Sequence, residues 1–267
     1  MKTIIQKTIW LLFIAIAITS CSKDEDNCNP DDEESPCYAG VKPGEKLLLI
    51  EEKNNGKTEL KFEYNNRNQV VVRHVHDREG NITVENFTYN GEKLTKIERK
   101  SNGQLVMSEE YTYGNGNKPA TGALKDEKGE LMTHITYSYS SKSITEKSFN
   151  KDGEHVITST YTFDDKGNPL IWQITAANNS MTSTQTLGDY DDKPYRYTGY
   201  PWNWKLSSVN NARSYSQTTS GIGGSTAITQ HWEFTYNSAG YPIKAEVYDK
   251  TSNTLIETRT YTYEQAN

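Results

Sequence analysis

A pair of aromatic residues separated by one other residue recurs along the chain and constrains its fold more than any other feature. The pair occurs seven times, as Phe62-Glu63-Tyr64, Phe87-Thr88-Tyr89, Tyr111-Thr112-Tyr113, Tyr137-Ser138-Tyr139, Tyr161-Thr162-Phe163, Phe234-Thr235-Tyr236 and Tyr261-Thr262-Tyr263. The last residues of the first five pairs lie 25, 24, 26 and 24 residues apart. The next interval is 73 residues, close to three more periods, and the final interval is 27. A nearly constant period of this size is typical of repeat architectures.

The segments between the pairs have the composition of β-strands joined by tight turns. Turn sequences such as Asn90-Gly91 and Lys166-Gly167-Asn168 alternate with stretches rich in Thr, Val, Ile and Tyr. Asn-Gly supplies the positive φ angles of hairpin turns, and β-branched and aromatic residues favour strands. Apolar residues do not recur at helical spacing in this part of the chain. The sequence therefore predicts a single all-β domain over residues 46–267, with two strands in each repeat.

The alternation of side chains within each strand predicts where the aromatic pairs lie. In residues 105–113, Glu109, Tyr111 and Tyr113 share one face, because successive side chains of a strand point to opposite sides of the sheet. The aromatic pair of every repeat should thus lie on one side, near the strand ends. The predicted fold is a long antiparallel meander of roughly 16–18 strands that curls into a barrel-like or half-closed sheet, with an open single-layer sheet as the alternative. The opposite face is rich in Thr, Ser, Glu and Lys, so a membrane-spanning barrel is not expected.

The start of the chain carries signals for export. Residues 1–20 begin with Lys2 and Lys7 and continue with a short apolar run, which is typical of a secretory signal peptide. The following stretch, Ile18-Thr19-Ser20-Cys21, resembles the bacterial lipobox, whose cysteine is acylated and becomes the mature N-terminus. The resemblance implies a lipid anchor on Cys21 that holds the protein on a membrane. An ordinary signal peptide with a chance cysteine is the alternative.

Residues 21–45 are predicted to form a flexible acidic tether, because their polar composition cannot bury enough apolar area to fold. The stretch Ser22-Lys23-Asp24-Glu25-Asp26 resembles the export signal of surface lipoproteins in Bacteroides-type bacteria. That resemblance implies the outer membrane and its cell-surface leaflet, with a solvated acidic linker as the alternative. Cys28 and Cys37 are expected to form a disulfide in this oxidising compartment.

The acidity of the chain belongs to this tether. The sequence has 35 acidic and 29 basic residues. Without the seven acids at positions 24–34 and the three lysines at positions 2, 7 and 23, 28 acidic and 26 basic residues remain. The rest of the chain has no basic excess, so nucleic acid is not an expected partner.

Two of the repeats carry a longer signature. Residues 161–169 read Tyr-Thr-Phe-Asp-Asp-Lys-Gly-Asn-Pro, and residues 234–242 read Phe-Thr-Tyr-Asn-Ser-Ala-Gly-Tyr-Pro. This pattern resembles a tyrosine/aspartate (Rhs-type) repeat. Together with the leader and the stretch Tyr190-Asp191-Asp192-Lys193-Pro194-Tyr195, the chain is similar to an uncharacterised family of Bacteroides-type lipoproteins with a porin-like fold. The resemblance implies a meander that curls toward closure, and it implies no activity and no functional residue.

The repeat is interrupted between Phe163 and Phe234, and this interruption is the best candidate for a binding function. Within it, the stretch from Gly188 to Arg213 contains the aromatic residues Tyr190, Tyr195, Tyr197, Tyr200, Trp202 and Trp204. Insertions in repeat proteins often lie on the binding face, and flat rings beside Asp and Asn suit the faces and hydroxyl groups of sugars. The alternative is that Trp202 and Trp204 plug the end of the sheet.

Other residue combinations give little indication of chemistry. His74-Val75-His76 places two histidines on one side of a strand, but no third metal ligand lies at a recognisable spacing, so paired surface histidines are expected and no metal. Gly221-Ile222-Gly223-Gly224 lacks the strand and helix of a phosphate-binding loop, and no serine lies in a nucleophile elbow. No cofactor is expected.

The sequence thus predicts a non-enzymatic, lipid-anchored surface protein that binds a glycan, a peptide or a partner protein. The alternative is a structural or assembly accessory of an outer-membrane complex. The membrane is expected to be contacted through the lipid anchor only.

Overall fold

The computed structural model describes residues 41–197, 199–221 and 224–267, and in these ranges the chain forms sixteen β-strands. In chain order they are β1 (Leu47–Asn54), β2 (Lys57–Tyr64), β3 (Val70–His76), β4 (Ile82–Asn90), β5 (Lys93–Ser101), β6 (Gln104–Tyr113), β7 (Pro119–Asp126), β8 (Leu131–Tyr139), β9 (Ser143–Asn150), β10 (His155–Phe163), β11 (Pro169–Ala176), β12 (Met181–Gly188), β13 (Ser214–Gly221), β14 (Gly224–Tyr236), β15 (Pro242–Asp249) and β16 (Thr254–Gln265). Within the same ranges, no helix has the length and hydropathy that crossing a membrane requires.

The sheet closes on itself. Each strand pairs antiparallel with its neighbours in sequence, and β1 also pairs with β16, from Leu47 opposite Gln265 to Asn54 opposite Arg259. The prediction of a half-closed sheet, or of an open single layer, is therefore wrong. The repeat describes each hairpin locally and contains no signal that the first and last strands meet. Their pairing removes the two unpaired edges that an open sheet would expose.

Several sequence predictions concern residues outside the described ranges. They are the signal peptide, the lipidated Cys21, the disulfide between Cys28 and Cys37, and most of the acidic tether. Ile222 and Gly223 of the glycine-rich stretch also lie outside. These remain predictions.

The aromatic pairs face the inside of the barrel, as the alternation predicts. The first member of five pairs is buried: Phe62, Phe87, Tyr111, Tyr161 and Tyr261. The residue between the two aromatics is exposed in most repeats, as at Thr88 and Thr112. The repeat therefore supplies one inward aromatic layer from almost every even-numbered strand.

In five of the seven pairs, the second residue is a tyrosine that closes the open end of its own hairpin. The hydroxyl of Tyr89 donates to the backbone carbonyl of Val70 at 2.8 Å, and that of Tyr113 donates to Leu94 at 2.8 Å. Tyr64, Tyr139 and Tyr263 make the equivalent bond. The strand register shifts at Tyr89 and at Tyr113, which marks a β-bulge. A bulge increases strand bending and twist, and the hydroxyl supplies a hydrogen-bond donor to a backbone carbonyl of the preceding strand.

The two ends of the barrel differ. At the end called here the hairpin rim, odd-numbered strands connect to even-numbered ones by short turns, such as Asn55-Gly56 with φ angles of 48° and 79°. These angles suit the tight hairpin turn that Asn-Gly favours. At the other end, the terminal rim, the chain enters β1 and leaves β16, and 25 residues connect β12 to β13. This long connection positions the candidate site.

The outer face of the barrel is polar along much of its height. Lys96 and Glu98 on β5 form an ion pair of 2.8 Å, and Lys125 on β7 lies 2.6 Å from Glu110 on β6. These residues alternate with inward-facing ones such as Ile97. Close to the hairpin rim, however, the outward positions of β4, β6 and β8 carry apolar side chains: Ile82, Val106 and Met132 are 40%, 43% and 46% exposed.

Candidate functional site: a plugged barrel with a cleft at its terminal rim

The interruption of the repeat folds into the barrel. We call residues 189–213, between β12 and β13, the plug. Trp202 and Trp204 are each 6% exposed and belong to the same apolar core as the inward aromatics of the wall. The Trp202 ring lies edge-on to Phe87 at 5.5 Å, and its Nε1–H donates to the hydroxyl of Tyr111 at 3.0 Å. The repeat thus builds an aromatic wall, and the interruption fills part of the space within it.

Buried asparagines fix the ends of the plug. The Asn168 side-chain oxygen, in the turn before β11, accepts hydrogen bonds from the backbone N–H groups of Val209 and Asn210 at 3.0 and 2.9 Å. Asp191 accepts from the backbone N–H of Asn211 at 3.0 Å. These three bonds give acceptors to backbone amides of the plug and hold its C-terminal end.

Four charged residues form a ladder across the inner wall of β3 to β6. Arg73 lies 2.6 Å from Glu85, Arg99 lies 2.9 Å from Glu85, and Arg99 lies 3.2 Å from Glu109. Burial acts to lower the pKa of Arg99, but Glu109 and Glu85 outweigh it and raise that pKa. Because a buried charge is costly unless it is paired, the ladder lets the interior hold charge beside the aromatic layer.

A second charged cluster lies at the seam where the barrel closes. Arg259 on β16 contacts Glu52 at 2.5 Å, Glu59 at 3.0 Å and Glu257 at 2.8 Å. Glu52 is fully buried and also accepts the hydroxyl of Tyr197 in the plug. This cluster therefore joins β1, β2 and β16 and ties the plug to the seam.

The plug brings two further cations into the interior. Lys205 pairs with Glu146 on β9 at 2.9 Å. The guanidinium of Arg196 is surrounded by aromatic rings, with Tyr197 at 4.7 Å, Tyr195 at 5.3 Å and Trp232 at 5.5 Å from the ring centroids. Cation–π attraction of this kind is strongest where water is excluded.

A cleft of about 790 Å³ opens at the terminal rim above the plug, and we call it the rim cleft. Its floor is formed by the plug, including Tyr200 and Asn203, and its walls by the turns that carry Arg67 and Asn117. The Tyr200 hydroxyl accepts a hydrogen bond from Arg73 on the inner wall at 3.0 Å, and this bond holds the Tyr200 ring in place. The cleft thus places the ordered aromatic rings of the plug beside the exposed polar side chains of Arg67, Asn117 and Asn203.

Comparison with known proteins gives a fold and no activity. No family model matches the sequence, and no curated protein matches it. The crystal structure of a porin-like protein from Bacteroides uniformis ATCC 8492 aligns with a TM-score of 0.50 at 14% identity, covering 84% of this chain and 100% of that chain. A porin-like protein from Bacteroides vulgatus ATCC 8482 aligns with a TM-score of 0.44 at 12% identity, covering 82% and 99%.

The similarity is one of fold. At 14% identity, the porin-like protein from Bacteroides uniformis shares the architecture of this barrel, and no residue role is transferred from it. The likeness to Bacteroides proteins with a porin-like fold agrees with the resemblance drawn from the repeats. The lipoprotein leader and the Rhs-type character of the repeats stay predictions.

The structure distributes the six predicted binding residues over three places. Tyr195, Tyr197, Tyr200 and Trp204 line the rim cleft. Tyr190 lines a smaller inner cavity, and its hydroxyl donates to the carbonyl of Pro169, in the manner of the repeat tyrosines. Trp202 lies in the core against the wall. The residues that sequence reasoning missed are those with partners on other strands, above all Asn168, Arg196 and the charge ladder.

The paired histidines lie on the outer face, away from the plug. His74 on β3 lies 3.0 Å from Glu63 on β2. Over the described part of the chain, no group of three or more metal-ligating side chains converges. The histidines therefore add nothing to the candidate site.

Proposed function

We propose that this protein is a non-catalytic glycan-binding protein, anchored by lipid to the outer membrane and exposed at the cell surface, and that the rim cleft is its binding site. The observation that supports this most is the cleft itself. Its volume of about 790 Å³ lies within the range of ligand pockets.

The lining of the cleft suits a carbohydrate. The rings of Tyr195 and Tyr200 offer flat apolar surfaces, and the exposed side chains of Asn117, Asn203 and Arg67 offer hydrogen bonds to hydroxyl groups. The plug rings are held by contacts with the wall, which lowers the ordering cost of binding. A peptide or a partner protein would use the same surface and is distinguished by the test below.

The test is a glycan array followed by calorimetry on the hits. We expect the double variant Arg67→Ala with Asn203→Ala to lose at least tenfold in affinity, since both side chains are exposed on the cleft. Arg78→Ala, an equally exposed arginine at the hairpin rim, is the matched control and should bind as the wild type does. Binding of peptides in place of glycans, or turnover of a polysaccharide, would contradict the proposal.

Anchoring by Cys21 is supported by the leader sequence and by the polar outer face of the barrel. A chain beginning at residue 41 should stay in the aqueous phase without detergent, whereas the full-length protein should enter the detergent phase. External protease should degrade the full-length protein on intact cells. Partitioning of the shortened chain into detergent would argue that the barrel itself contacts lipid.

A second candidate, an accessory of an outer-membrane complex, is favoured by the apolar outward positions near the hairpin rim. Ile82, Val106 and Met132 lie on successive even-numbered strands and expose 40–46% of their surface. Replacing all three by threonine should release a copurifying membrane complex if this role is correct, and should leave glycan binding unchanged if the rim cleft is the functional site.

A further inference from the structure

Arg196 is a cation in the barrel interior without a carboxylate partner. Its guanidinium makes no hydrogen bond and no ion pair with any described residue, and its Nε atom is fully buried. Lys205, the other interior cation of the plug, pairs with Glu146 at 2.9 Å. An unpaired charge in a protein interior is costly. The other interior charges described above form ion pairs, and Arg196 is the exception among them.

Two buried carboxylates, Glu52 at the seam and Asp191 in the plug, already accept hydrogen bonds from other groups. Glu52 accepts from Arg259 and from the Tyr197 hydroxyl. Asp191 accepts from the Tyr236 hydroxyl and from the plug backbone. Neither carboxylate makes a hydrogen bond to Arg196.

Arg196 lines a cavity of about 230 Å³ between the plug and strands β11 to β14, which we call the inner cavity. It is the one charged residue among the described residues of the lining. Trp232 also lines the cavity, and its Nε1–H is buried without an acceptor. Tyr195 and Ser214 also line it, and neither hydroxyl makes a hydrogen bond to a described residue. The cavity is thus lined by four residues whose side-chain donors have no acceptor among the described residues.

A set of unpaired donors around a cation is matched by an anion with several acceptor oxygens. The planar guanidinium fits a carboxylate with two parallel hydrogen bonds. The rings of Tyr195 and Trp232 provide flat apolar surface, and the Ser214 hydroxyl suits a ring substituent. A carboxylate attached to a polar ring offers acceptor oxygens to the guanidinium and a ring to cover the aromatic surface, whereas a bare inorganic anion offers the oxygens alone.

We propose that the inner cavity is a binding subsite for the carboxylate of an acidic sugar, such as a hexuronate, with Arg196 as the residue that recognises it. The inference deepens the proposed glycan-binding function and rests on it, because the inner cavity and the rim cleft share Tyr195 and Ser208 as lining residues. A glycan in the rim cleft would place one acidic residue against Arg196.

The experiment measures binding of glucuronate, glucose and N-acetylglycine to the full-length protein by calorimetry. Glucuronate should bind at least tenfold more tightly than glucose and than N-acetylglycine. Arg196→Gln should weaken glucuronate binding at least tenfold and leave glucose unchanged. Arg213→Gln replaces an exposed arginine at the end of the same plug and should bind as the wild type does. Arg196→Lys keeps the positive charge but cannot form the two parallel hydrogen bonds of a guanidinium, so it should bind glucuronate more tightly than Arg196→Gln and less tightly than the wild type.

Three results would overturn the proposal. They are equal binding of glucose and glucuronate, tighter binding of N-acetylglycine, and a folded Arg196→Gln variant with unchanged affinity for glucuronate. If Arg196→Gln does not fold, Ala212→Leu serves as the second test, because it fills the inner cavity and keeps Arg196. Glucuronate binding should then weaken, and unchanged glucuronate binding in Ala212→Leu would overturn the proposal. Unchanged neutral-glycan binding in the Arg67→Ala/Asn203→Ala variant, with glucuronate binding weakened by Arg196→Gln, would contradict the proposed function and leave this subsite standing.

Discussion

Trp202 offers the sharpest test of whether the plug is part of the framework. The ring is 6% exposed and donates to Tyr111. A buried tryptophan removes about 200 Å² from water, which at about 25 cal/mol/Å² corresponds to about 5 kcal/mol. Trp202→Ala should therefore lower the free energy of unfolding by about 3–5 kcal/mol, since partial collapse of the cavity reduces the full cost.

Urea unfolding followed by circular dichroism measures this change. Trp202→Phe keeps an aromatic ring and loses the bond to Tyr111, so it should cost about 1 kcal/mol from that bond in addition to a smaller packing loss. Val209→Ala, at an exposed position of the same plug, should change stability by less than about 0.5 kcal/mol. If the free energy of unfolding of Trp202→Ala lies within about 1 kcal/mol of the wild-type value, Trp202 is not part of the framework. Combined with lost glycan binding, that result would make the ring a ligand contact.

Three further outcomes follow from the structure. Arg259→Gln should destabilise the protein by about 3–5 kcal/mol in urea, because it leaves three carboxylates at the seam without their cation. Tyr89→Phe should cost about 1 kcal/mol, because the carbonyl of Val70 loses its donor. Burial raises the pKa of Tyr113 and Tyr195 to about 12. The folded state therefore keeps these phenols neutral, and the free energy of unfolding in urea should fall as the pH rises from the ordinary tyrosine pKa of 10.0 through 12.

Each of these outcomes has a control. Adding Glu52→Gln to Arg259→Gln should restore part of the lost stability, and no recovery would mean that the seam charges do not interact. Tyr248→Phe removes a hydroxyl from the outer face and should be near neutral; an equal cost for both tyrosines would argue against a special role at the bulge. A free energy of unfolding that stays constant between pH 10 and 12 would show that Tyr113 and Tyr195 are hydrated in the folded state.

The sequence was informative where the information is local. The spacing of the aromatic pairs predicts the hairpins, and the alternation around Tyr111 predicts which face is inward. The pairing of β1 with β16 joins residues about 200 positions apart, such as Glu52 and Arg259, and no local pattern encodes it. The sequence could have suggested the charge ladder, because Glu85, Arg99 and Glu109 occupy inward positions on successive strands with alternating sign.

The candidate site was less predictable than the fold. The interruption was visible as a break in the repeat, and four of the six aromatic residues predicted to bind a ligand line the rim cleft. The inner cavity depends on Arg196 having no partner after folding, which is a property of the packed interior. The anchoring by Asn168 was hidden because its role depends on amides more than 40 residues away.

The length of the plug has a consequence for how such a barrel is sized. The 73-residue gap in the aromatic repeat holds two hairpins and the 25 residues of the plug, close to one repeat length. A segment about one repeat long thus occupies the lumen and adds no strands to the wall. Had it formed another hairpin, an eighteen-stranded barrel of larger diameter would enclose an emptier lumen. One repeat length of sequence can therefore form either two strands of the wall or a plug. In this chain it forms the plug, and the barrel is narrower and its lumen is occupied.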